Sequence, residues 1–290
     1  MKNPLVSVIT VNYKQAAITC ALLDSIDKNA YKNLEVIVVD NGSEKDCTAD
    51  FLKHYPSVKV LVSAENLGFA GGNNLGIKAA KGEYIFLVNN DTEWTDGLVE
   101  ALLKRFETDA TIGVVSPKIR YHHTPDMIQF AGFTEINPLT GRNETVGKNE
   151  KDMGQHDTPY PTPYAHGAAM MLKCEVLQKA GLMPENYFLY YEELDWCHQI
   201  KQAGYALWYE PTGLIYHKES ASVGKLSTLK LYYLTRNRLL FMRRNIKGWR
   251  LSLFLSYFFS IIFPAKSLFF LIKGEWASFL TFQKAIFDIK

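Results

Sequence analysis

Residues 5–12 read LVSVITVN, and residues 35–40 read EVIVVD. Both runs are rich in β-branched residues, which is typical of buried strands. A helical stretch at 16–29 separates them, and the turn Asn41-Gly42-Ser43 follows the second run. A strand, a helix and a second strand in this order predict an α/β fold with a mostly parallel sheet flanked by helices.

The same alternation continues along the chain. Residues 47–54 and 71–80 are predicted helices, and residues 58–62 and 84–88 are predicted strands. A further helix is expected within residues 91–112. In open sheets of this kind ligands bind beyond the carboxyl ends of the strands. The polar residues at those ends are therefore the candidates for a functional site.

The second half of the chain is less regular. Residues 121–163 are rich in Gly, Asn, Thr and Pro, which predicts a long excursion with short strands. The remaining predicted elements are helices at 168–181 and 192–203, the latter closed by Gly204, and short strands at 206–209 and 213–217.

Composition narrows the class of protein. The 290 residues are 47% hydrophobic and 13% aromatic, which excludes a disordered chain. The four cysteines form no CxxC pair, so neither a zinc site nor a disulfide framework is indicated, and a reducing compartment is expected. The first residues lack the apolar region of a signal peptide, which favours a cytoplasmic location.

The positive charge is concentrated near the carboxyl end. Residues 220–274 contain ten Lys or Arg and no acidic residue, whereas the remainder carries 22 basic and 30 acidic residues. The apolar run 251–263 lies within this segment, and we expect Pro264 and Lys266 to break it. A membrane span needs about 20 apolar residues. We therefore expect this tail to lie in the interface of an anionic membrane.

Two other interpretations of the tail stay open. It is either a C-terminal helix packed into the core or a basic surface for nucleic acid. Nucleic-acid binding is disfavoured because it leaves the apolar run unexplained. No nucleic-acid partner is therefore expected.

A glycine-rich segment, NLGFAGGNNLG, covers residues 66–76. Glycines at a helix entrance let the backbone approach a ligand, and the helix N-terminus favours an anion. The alternative is an ordinary glycine-rich turn. A dinucleotide-binding fold is disfavoured, because its glycines should follow the first strand. Here that strand leads into Asn12-Tyr13-Lys14.

Carboxylates stand at two further positions. Asp91 ends the sequence Asn89-Asn90-Asp91 directly after a strand, where it could hold a hard cation that bridges phosphates. Three more acids, Glu192, Glu193 and Asp195, begin a helix and follow an aromatic run. Burial beside aromatics would raise their pKa toward that of a useful base. The alternatives are a polar turn for Asp91 and helix-dipole complementarity for the three acids.

His217 follows a short strand and precedes Lys218. A lone histidine is usually structural, so His217 matters only if it completes a site with Asp91.

The chain resembles the family 2 glycosyltransferases with a GT-A fold, in particular their rhamnosyltransferase-like branch. The resemblance covers about residues 5–245. Its motifs occur in order and are VSVITVNYK, EVIVVDNGS, NLGFAGGNNLGI, GEYIFLVNND, HGAAMML, FLYYEELDWCHQIKQAGY and YYLTRNRLLFMRR.

The resemblance implies a role for each candidate residue in binding the donor. The nucleobase and ribose of a nucleotide-sugar would be held by Thr10, Asn12, Tyr13 and Asp40. The donor diphosphate would border Gly72, Asn73 and Asn74. The family's D-x-D metal motif falls on residues 89–91. Asn90 would then lie beside the donor, and Asp91 and His217 would bind a divalent cation, Mg²⁺ or Mn²⁺. Asn89 departs from the motif, because the family has an acid there.

The same resemblance implies an inverting mechanism with a general base. Glu193 matches the second acid of the family's E-D motif, where the family has Asp. Because Glu is one methylene longer, the role could fall on Glu192 or Asp195 instead. Residues 1–225 would form the catalytic domain, and residues 226–290 a helical membrane-associating segment.

The function implied is transfer of a sugar, for which the branch favours rhamnose from dTDP-rhamnose. The acceptor would be a cell-surface polysaccharide or a lipid-linked glycan, reached from the inner face of the cell membrane. A soluble or protein acceptor is an alternative. Because the metal motif lacks its first acid, a catalytically silent sugar-nucleotide or glycan-binding protein is another.

Overall fold

Ten strands pair into one sheet in the computed structural model, which describes residues 3–218 and 227–289. The strands are β1 Val6–Asn12, β2 Leu34–Asn41, β3 Lys59–Ser63, β4 Tyr84–Val88, β5 Thr92–Trp94, β6 Ile112–Tyr121, β7 Ile128–Phe130, β8 Tyr160–Pro161, β9 Ala169–Lys173 and β10 Ala206–His217.

Helices alternate with the strands through the first half of the chain and follow one another near its end. They are α1 Ala16–Lys28, α2 Thr48–His54, α3 Gly68–Ala79, α4 Leu98–Glu107, α5 Cys174–Ala180, α6 Glu192–Gln202, α7 Thr228–Asn245, α8 Trp249–Tyr257, α9 Phe263–Ile272 and α10 Trp276–Phe287. A 3₁₀ turn covers Glu185–Tyr187, and a π turn covers Phe258–Ile262.

The sheet has a parallel half and a mixed half. Its main order is β3-β2-β1-β4-β9-β6-β10-β5. The first four strands of this order are parallel to one another, as are β6 and β10. Strand β9 is antiparallel to both of its neighbours, and β5 is antiparallel to β10. The predicted α/β class is confirmed, and the parallel pairing is confined to these two groups of strands.

The parallel strands bring their polar ends to one edge. In the register of β1 and β2, Asn12 lies opposite Asp40. The apolar residues before them, including Ile9 and Val38, are fully buried. This buried register fixes the position of the polar residues that follow, since a shift by one residue would exchange the two faces of the strand.

Helix α3 packs tightly on β1 and β2 through glycines. A methyl group at Gly76 would lie 2.4 Å from Cγ2 of Ile9 and 3.3 Å from Cγ2 of Val39. At Gly72 it would lie 2.9 Å from Cγ1 of Val11. These distances leave no room for a side chain, so the glycines set how closely the helix approaches the sheet.

The predicted helix at 168–181 is wrong in its first part. Ala169–Lys173 is strand β9, and the helix α5 begins only at Cys174. Ala, Met and Leu favour helices in isolation. Here the segment lies between β4 and β6, where its backbone groups pair on both sides. Tertiary pairing therefore overrides the local preference.

Two further differences concern β10 and β5, the last two strands in the order of the sheet. The predicted strands at 206–209 and 213–217 are one strand, β10, with a register shift between Glu210 and Leu214 that accommodates Pro211. Strand β5 was not predicted, because three residues are too few for a periodic signal. The excursion at 121–163 is confirmed, with short strands and isolated bridges.

The apolar run near the end of the chain is longer than predicted. The helix is not broken at Pro264, because Trp249–Ile272 is helical over 24 residues. A π turn precedes the proline and shifts the hydrogen-bond ladder where the proline offers no N–H. By length and composition this helix suffices to cross a membrane, and 11% of its most apolar window is buried.

The chain divides into two compact units. The first contains residues 1–134, 145–188 and 192–219, and the second contains residues 135–144, 189–191 and 220–290. The second unit therefore includes two segments, 135–144 and 189–191, that lie within the predicted catalytic domain in the sequence. The predicted boundary at 225/226 lies outside the described residues.

We predict that Gly76→Ala destabilises the protein. Alanine is intrinsically better in a helix by about 1 kcal/mol. The added methyl group would overlap Ile9, and overpacking costs about 1–3 kcal/mol. We expect a net loss of about 1 kcal/mol or more in the free energy of unfolding, measured by urea denaturation. Lys78→Ala, an exposed change in the same helix, is the control. A gain in stability for Gly76→Ala would contradict the packing.

Candidate active site

A buried polar network joins the ends of three parallel strands. The Nδ2 atom of Asn12 donates to Oδ1 of Asp40 at 3.0 Å, and the hydroxyl of Thr19 donates to Oδ1 of Asn12 at 2.8 Å. The Nδ2 atom of Asn90 donates to the same hydroxyl at 3.1 Å. Ser43 also donates to Asp40. The network orients the side chains that follow β1, β2 and β4.

Two residues beside this network differ in exposure. The hydroxyl oxygen of Thr10 is buried and has no hydrogen-bond partner among the described residues. A buried polar atom without a partner is costly. Tyr13 is 44% exposed, with the amine of Lys14 5.5 Å from its ring centroid. An exposed aromatic ring beside buried polar groups is suited to contact with a flat, polar ligand.

The glycine-rich segment contacts the loop that precedes the acidic helix. The backbone N–H of Phe69 donates to the carbonyl of Phe188 at 2.8 Å. A methyl group at Gly68, where φ is +73°, would lie 2.4 Å from that carbonyl oxygen. Only glycine combines this backbone angle with this approach. The segment therefore fixes the loop on which the acids depend.

The asparagines of this segment are occupied by local bonds. Asn73 donates to the carbonyl of Phe69 at 2.9 Å. Asn74 donates to the carbonyl of Met183 and to Glu185, both at 2.8 Å, and accepts from the N–H of Met183. With Gly72 packed on Val11, these three residues hold helix α3 and its neighbouring loop in place.

Asp91 and His217 lie side by side, as the sequence suggested they could. The Oδ1 atom of Asp91 is 3.0 Å from Nε2 of His217, and both side chains are buried. The Nδ1 atom of His217 is 2.8 Å from Oε1 of Gln129, which fixes the ring. One carboxylate and one imidazole provide two ligands for a divalent cation. Across residues 3–218 and 227–289, no group of three or more His, Cys, Asp or Glu could hold a metal.

His166 is a neighbour of this pair that the sequence did not single out. Its ring is 6.3 Å from that of His217, and its Nδ1 accepts from the N–H of Ala168 at 3.1 Å. Burial, then repulsion from His217, lowers the pKa of His166 to about 3. His166 is therefore neutral at physiological pH. The only sequence signal for it was its place at the start of the motif HGAAMML.

The three acids of helix α6 differ in exposure. Glu192 and Asp195 are buried, and Asp195 is fully so, whereas Glu193 is half-buried. A methyl group at Gly167 would lie 3.8 Å from Cγ of Glu193 and 3.5 Å from Cζ of Phe69. Glu193 therefore lies beside a glycine and an aromatic ring. Of the three acidic residues, Glu193 is the least buried as a whole, although its Oε2 atom is buried.

The backbone before the acids is strained. Phe188, Tyr190 and Tyr191 all have φ between +66° and +74°, a region that non-glycine residues rarely adopt. In the second unit, the amide of Asn237 donates to the carbonyls of Leu189 and Tyr190 at 2.7 and 2.8 Å. Asn237, in the motif YYLTRNRLLFMRR, holds this backbone through two hydrogen bonds and was not singled out by the sequence.

Adjacent contacts connect these groups within the first unit. The polar network ends on Asn90, which precedes Asp91, and Asp91 contacts His217. The ring of His217 faces His166, and Gly167 follows His166 and approaches Glu193. A series of neighbouring residues in the first unit thus runs from the polar network through Asp91 and His217 to Glu193, a carboxylate that is chemically able to accept a proton.

Comparisons with known proteins identify the family of the chain. The sequence profile described as "Glycosyl transferase family 2" matches residues 7–181. The chain is 22% identical over 264 residues to the N-acetylglucosaminyl-diphospho-decaprenol L-rhamnosyltransferase of Mycobacterium tuberculosis, covering 83% of this chain and 85% of that protein. It is 26% identical over 216 residues to the low-salt glycan biosynthesis hexosyltransferase Agl10 of Haloferax volcanii, covering 68% and 61%.

Solved structures show the same fold. The mannosyltransferase PcManGT from Pyrobaculum calidifontis, solved in complex with GDP-Man and Mn²⁺, superposes with a TM-score of 0.62 at 18% identity. The match covers 100% of this chain and 88% of that one. This likeness confirms the predicted GT-A fold, and the profile spans more than half of the chain. The chain belongs to glycosyl transferase family 2 and is a glycosyltransferase.

Proposed function

We propose that this protein is an inverting glycosyltransferase that moves a sugar from a nucleotide-sugar to a lipid-linked glycan acceptor. The observation that carries the proposal is the continuous set of contacts from Asp40 through Asp91 and His217 to Glu193. These residues include the groups that we propose for donor binding and the candidate base. The resemblance to a rhamnosyltransferase that acts on a diphospho-decaprenol compound supports the lipid-linked acceptor.

The donor nucleoside would bind at the buried network. Asp40 and Asn12 offer a carboxylate and an amide to ribose or base, and Thr10 offers a hydroxyl that lacks another partner among the described residues. Tyr13 would stack on the base. Asn90 would lie beside the diphosphate. For Gly72, Asn73 and Asn74 we propose a supporting role behind this surface, since their observed contacts are internal. Rhamnose from dTDP-rhamnose is the donor that we propose to test first.

A divalent cation fits the site. Asp91 and His217 supply two ligands, and a diphosphate supplies the oxygen atoms that Mg²⁺ and Mn²⁺ favour. Such a cation neutralises charge that develops on a diphosphate leaving group. Asn89 stands where the family has an acid, so Asp91 carries the only carboxylate of this motif. The related mannosyltransferase was solved with Mn²⁺, and we propose Mn²⁺ or Mg²⁺ here.

The chemical step that we propose is a single displacement. Glu193 accepts the proton of the acceptor hydroxyl while its oxygen forms a bond to the anomeric carbon. The bond from that carbon to the phosphate oxygen breaks, and the nucleoside diphosphate leaves with the electron pair. Because attack and departure take place on opposite faces, the anomeric configuration inverts. Glu192 and Asp195 are the alternative bases, and their burial disfavours them.

Two other functions remain to be tested. Transfer to a soluble or protein acceptor requires the same donor site. A silent sugar-nucleotide or glycan-binding protein is motivated by Asn89, and the presence of Asp91, His217 and Glu193 together disfavours it. Release of nucleoside diphosphate across a panel of donors and acceptors would separate an enzyme from a binder.

We also propose that the second unit lies on the inner face of an anionic membrane. Most large apolar side chains that the protein exposes belong to its last four helices. The most exposed of them are Trp249, Ile272, Trp276, Leu280 and Phe287. Contiguous exposed apolar surface marks a membrane or protein contact. The excess of Lys and Arg in residues 220–274 favours an anionic membrane.

The first prediction of this proposal concerns the base. Glu193→Gln keeps the shape of the side chain and removes its basicity. We expect sugar transfer to fall by about 10²-fold or more, with nucleotide binding nearly unchanged. Glu175→Gln, an exposed change in the same unit, is the matched control. Full activity of Glu193→Gln, with loss in Glu192→Gln or Asp195→Asn, would move the role to the other acid.

The second prediction concerns the cation. Asp91→Asn leaves three neutral amides after β4, so we expect at least about a 10²-fold loss of turnover that added Mn²⁺ does not restore. Asp96→Asn, an exposed change, should keep full activity. If a chelator leaves the parent protein fully active, the metal-dependent mechanism is wrong.

The third prediction concerns the membrane. Flotation with anionic liposomes should weaken with salt without vanishing, because charge attraction is screened and apolar burial is not. Replacing Trp249, Ile272 and Trp276 together by Gln should abolish most of the salt-resistant part. Met153→Gln, equally exposed in the first unit, is the control. Equal flotation of the triple variant and the parent would exclude this face as the anchor.

A further inference from the structure

Three cations of the second unit are grouped without a described counter-charge. They are Arg142, in the short segment 135–144, Arg238 of helix α7 and Lys266 of helix α9. Arg238 is 4% exposed, and its Nε atom has no hydrogen-bond partner among the described residues. Its guanidinium carbon lies 5.0 Å from the ring centroid of Phe258. Arg238 is thus a buried cation that makes a cation–π contact with the ring of Phe258.

The three cations repel one another. Burial lowers the pKa of Arg238 to about 10, with a contribution from Arg142. Burial, followed by Arg238 and Arg142, also lowers the pKa of Lys266. No described carboxylate contributes to either shift. Of the three, only Arg238 is buried, whereas Lys266 is half-buried and Arg142 is exposed, so the cost of a buried, unpaired charge falls mainly on Arg238. The fold therefore keeps an electrostatic cost that an anion would remove.

The segment that carries Arg142 is packed firmly in place. A methyl group at Gly141, where φ is +64°, would lie 3.0 Å from Cγ of Met242 and 3.1 Å from Cγ of Arg238. The hydroxyl of Tyr191 donates to the carbonyl of Gly141 at 2.9 Å. The backbone just before Arg142 is therefore fixed beside Arg238, while the side chain of Arg142 is exposed. Such preorganisation reduces the entropy lost when a ligand binds.

A cavity of about 590 Å³ opens beside Lys266 within the same unit. Its volume falls in the range of small-molecule sites. Helices α7 and α9 provide most of its apolar lining, through Leu231, Leu234, Phe269 and Phe270. Lys230 and Lys266 also line it, as does one carboxylate, that of Glu275. The cavity is therefore largely apolar, and Lys266 is the member of the cluster that lines it.

We infer that this cluster and cavity bind an isoprenoid diphosphate, with the diphosphate on Arg142, Arg238 and Lys266 and the first isoprene units in the cavity. This inference rests on the proposed function, because it gives the lipid-linked acceptor its anchoring site. A diphosphate joined to a sugar and a lipid carries two negative charges, which match three cations better than the single charge of an ordinary phospholipid. Arginine binds phosphate oxygens in pairs, and Lys266 adds a point charge.

The test measures binding without turnover. Farnesyl diphosphate is titrated into the full-length protein in detergent, and heat is recorded by calorimetry. Farnesol, inorganic diphosphate and a short-chain phosphatidylglycerol are titrated in parallel. We expect farnesyl diphosphate to bind at least about tenfold more tightly than each of the other three, because only it supplies both the charge and the chain.

Variants locate the site. Arg238→Gln and Lys266→Gln should each weaken farnesyl diphosphate binding by about tenfold, as expected for one lost charge-assisted contact. Lys273→Gln removes the same charge from an exposed position of the same unit and should bind like the parent. Lys266 is only half-buried, so its variant tests the site even if Arg238→Gln fails to fold in a thermal-unfolding control.

Each contrary outcome overturns the inference. Equal binding by the parent and Lys266→Gln would show that the cluster does not bind the diphosphate. If farnesol bound as tightly as farnesyl diphosphate, the site would be an apolar cavity that does not recognise the diphosphate. If inorganic diphosphate bound as tightly, the site would be an anion site that does not recognise the isoprenoid chain. Equal affinity for phosphatidylglycerol would make it a general lipid site. Donor hydrolysis is measured separately and tests the proposed function. If hydrolysis were absent, the proposed function would fail, while the binding results would still test the diphosphate site.

Discussion

Asn12 lies between the Asp40 carboxylate and the Thr19 hydroxyl, and all three side chains are largely or fully buried. Polar groups in such a position must satisfy one another, because water cannot do so. The register of β1 on β2 sets Asn12 opposite Asp40, and that register in turn depends on the apolar residues behind it. The position of this polar edge of the sheet is thus a consequence of how the apolar strands pair.

Much of the fold follows from apolar periodicity in the first half of the chain. Strands β1, β2 and β4 are runs of β-branched and aromatic residues between turn signals, and the structure places them within a residue of their predicted bounds. The run AMML of β9 could not be assigned in this way. Its residues favour a helix locally. They form a strand because their backbone groups pair with β4 on one side and β6 on the other. That information is tertiary.

The residues of the candidate site that could be predicted from the sequence are the charged ones at strand ends. Asp91 and Asp40 stand out because a carboxylate directly after an apolar strand needs a reason. His166, Gln129 and Asn237 do not stand out, because single polar residues within apolar or mixed segments are usually structural. Their roles depend on which strands are neighbours: β10 brings His217 to Asp91, while Gln129 of β7 fixes its ring.

The left-handed backbone of Tyr190 has a consequence for evolvability. That conformation costs a non-glycine residue roughly 1–2 kcal/mol, and a glycine would adopt it freely. Selection for heat resistance alone would therefore accept Gly or Asn at this position. The same replacement would increase the freedom of the chain immediately before Glu192 and remove the ring over which Lys230 lies. Tyr190 is thus a position where a strained backbone is kept at a cost in stability, and thermostable variants found by random mutagenesis should be screened for turnover there first.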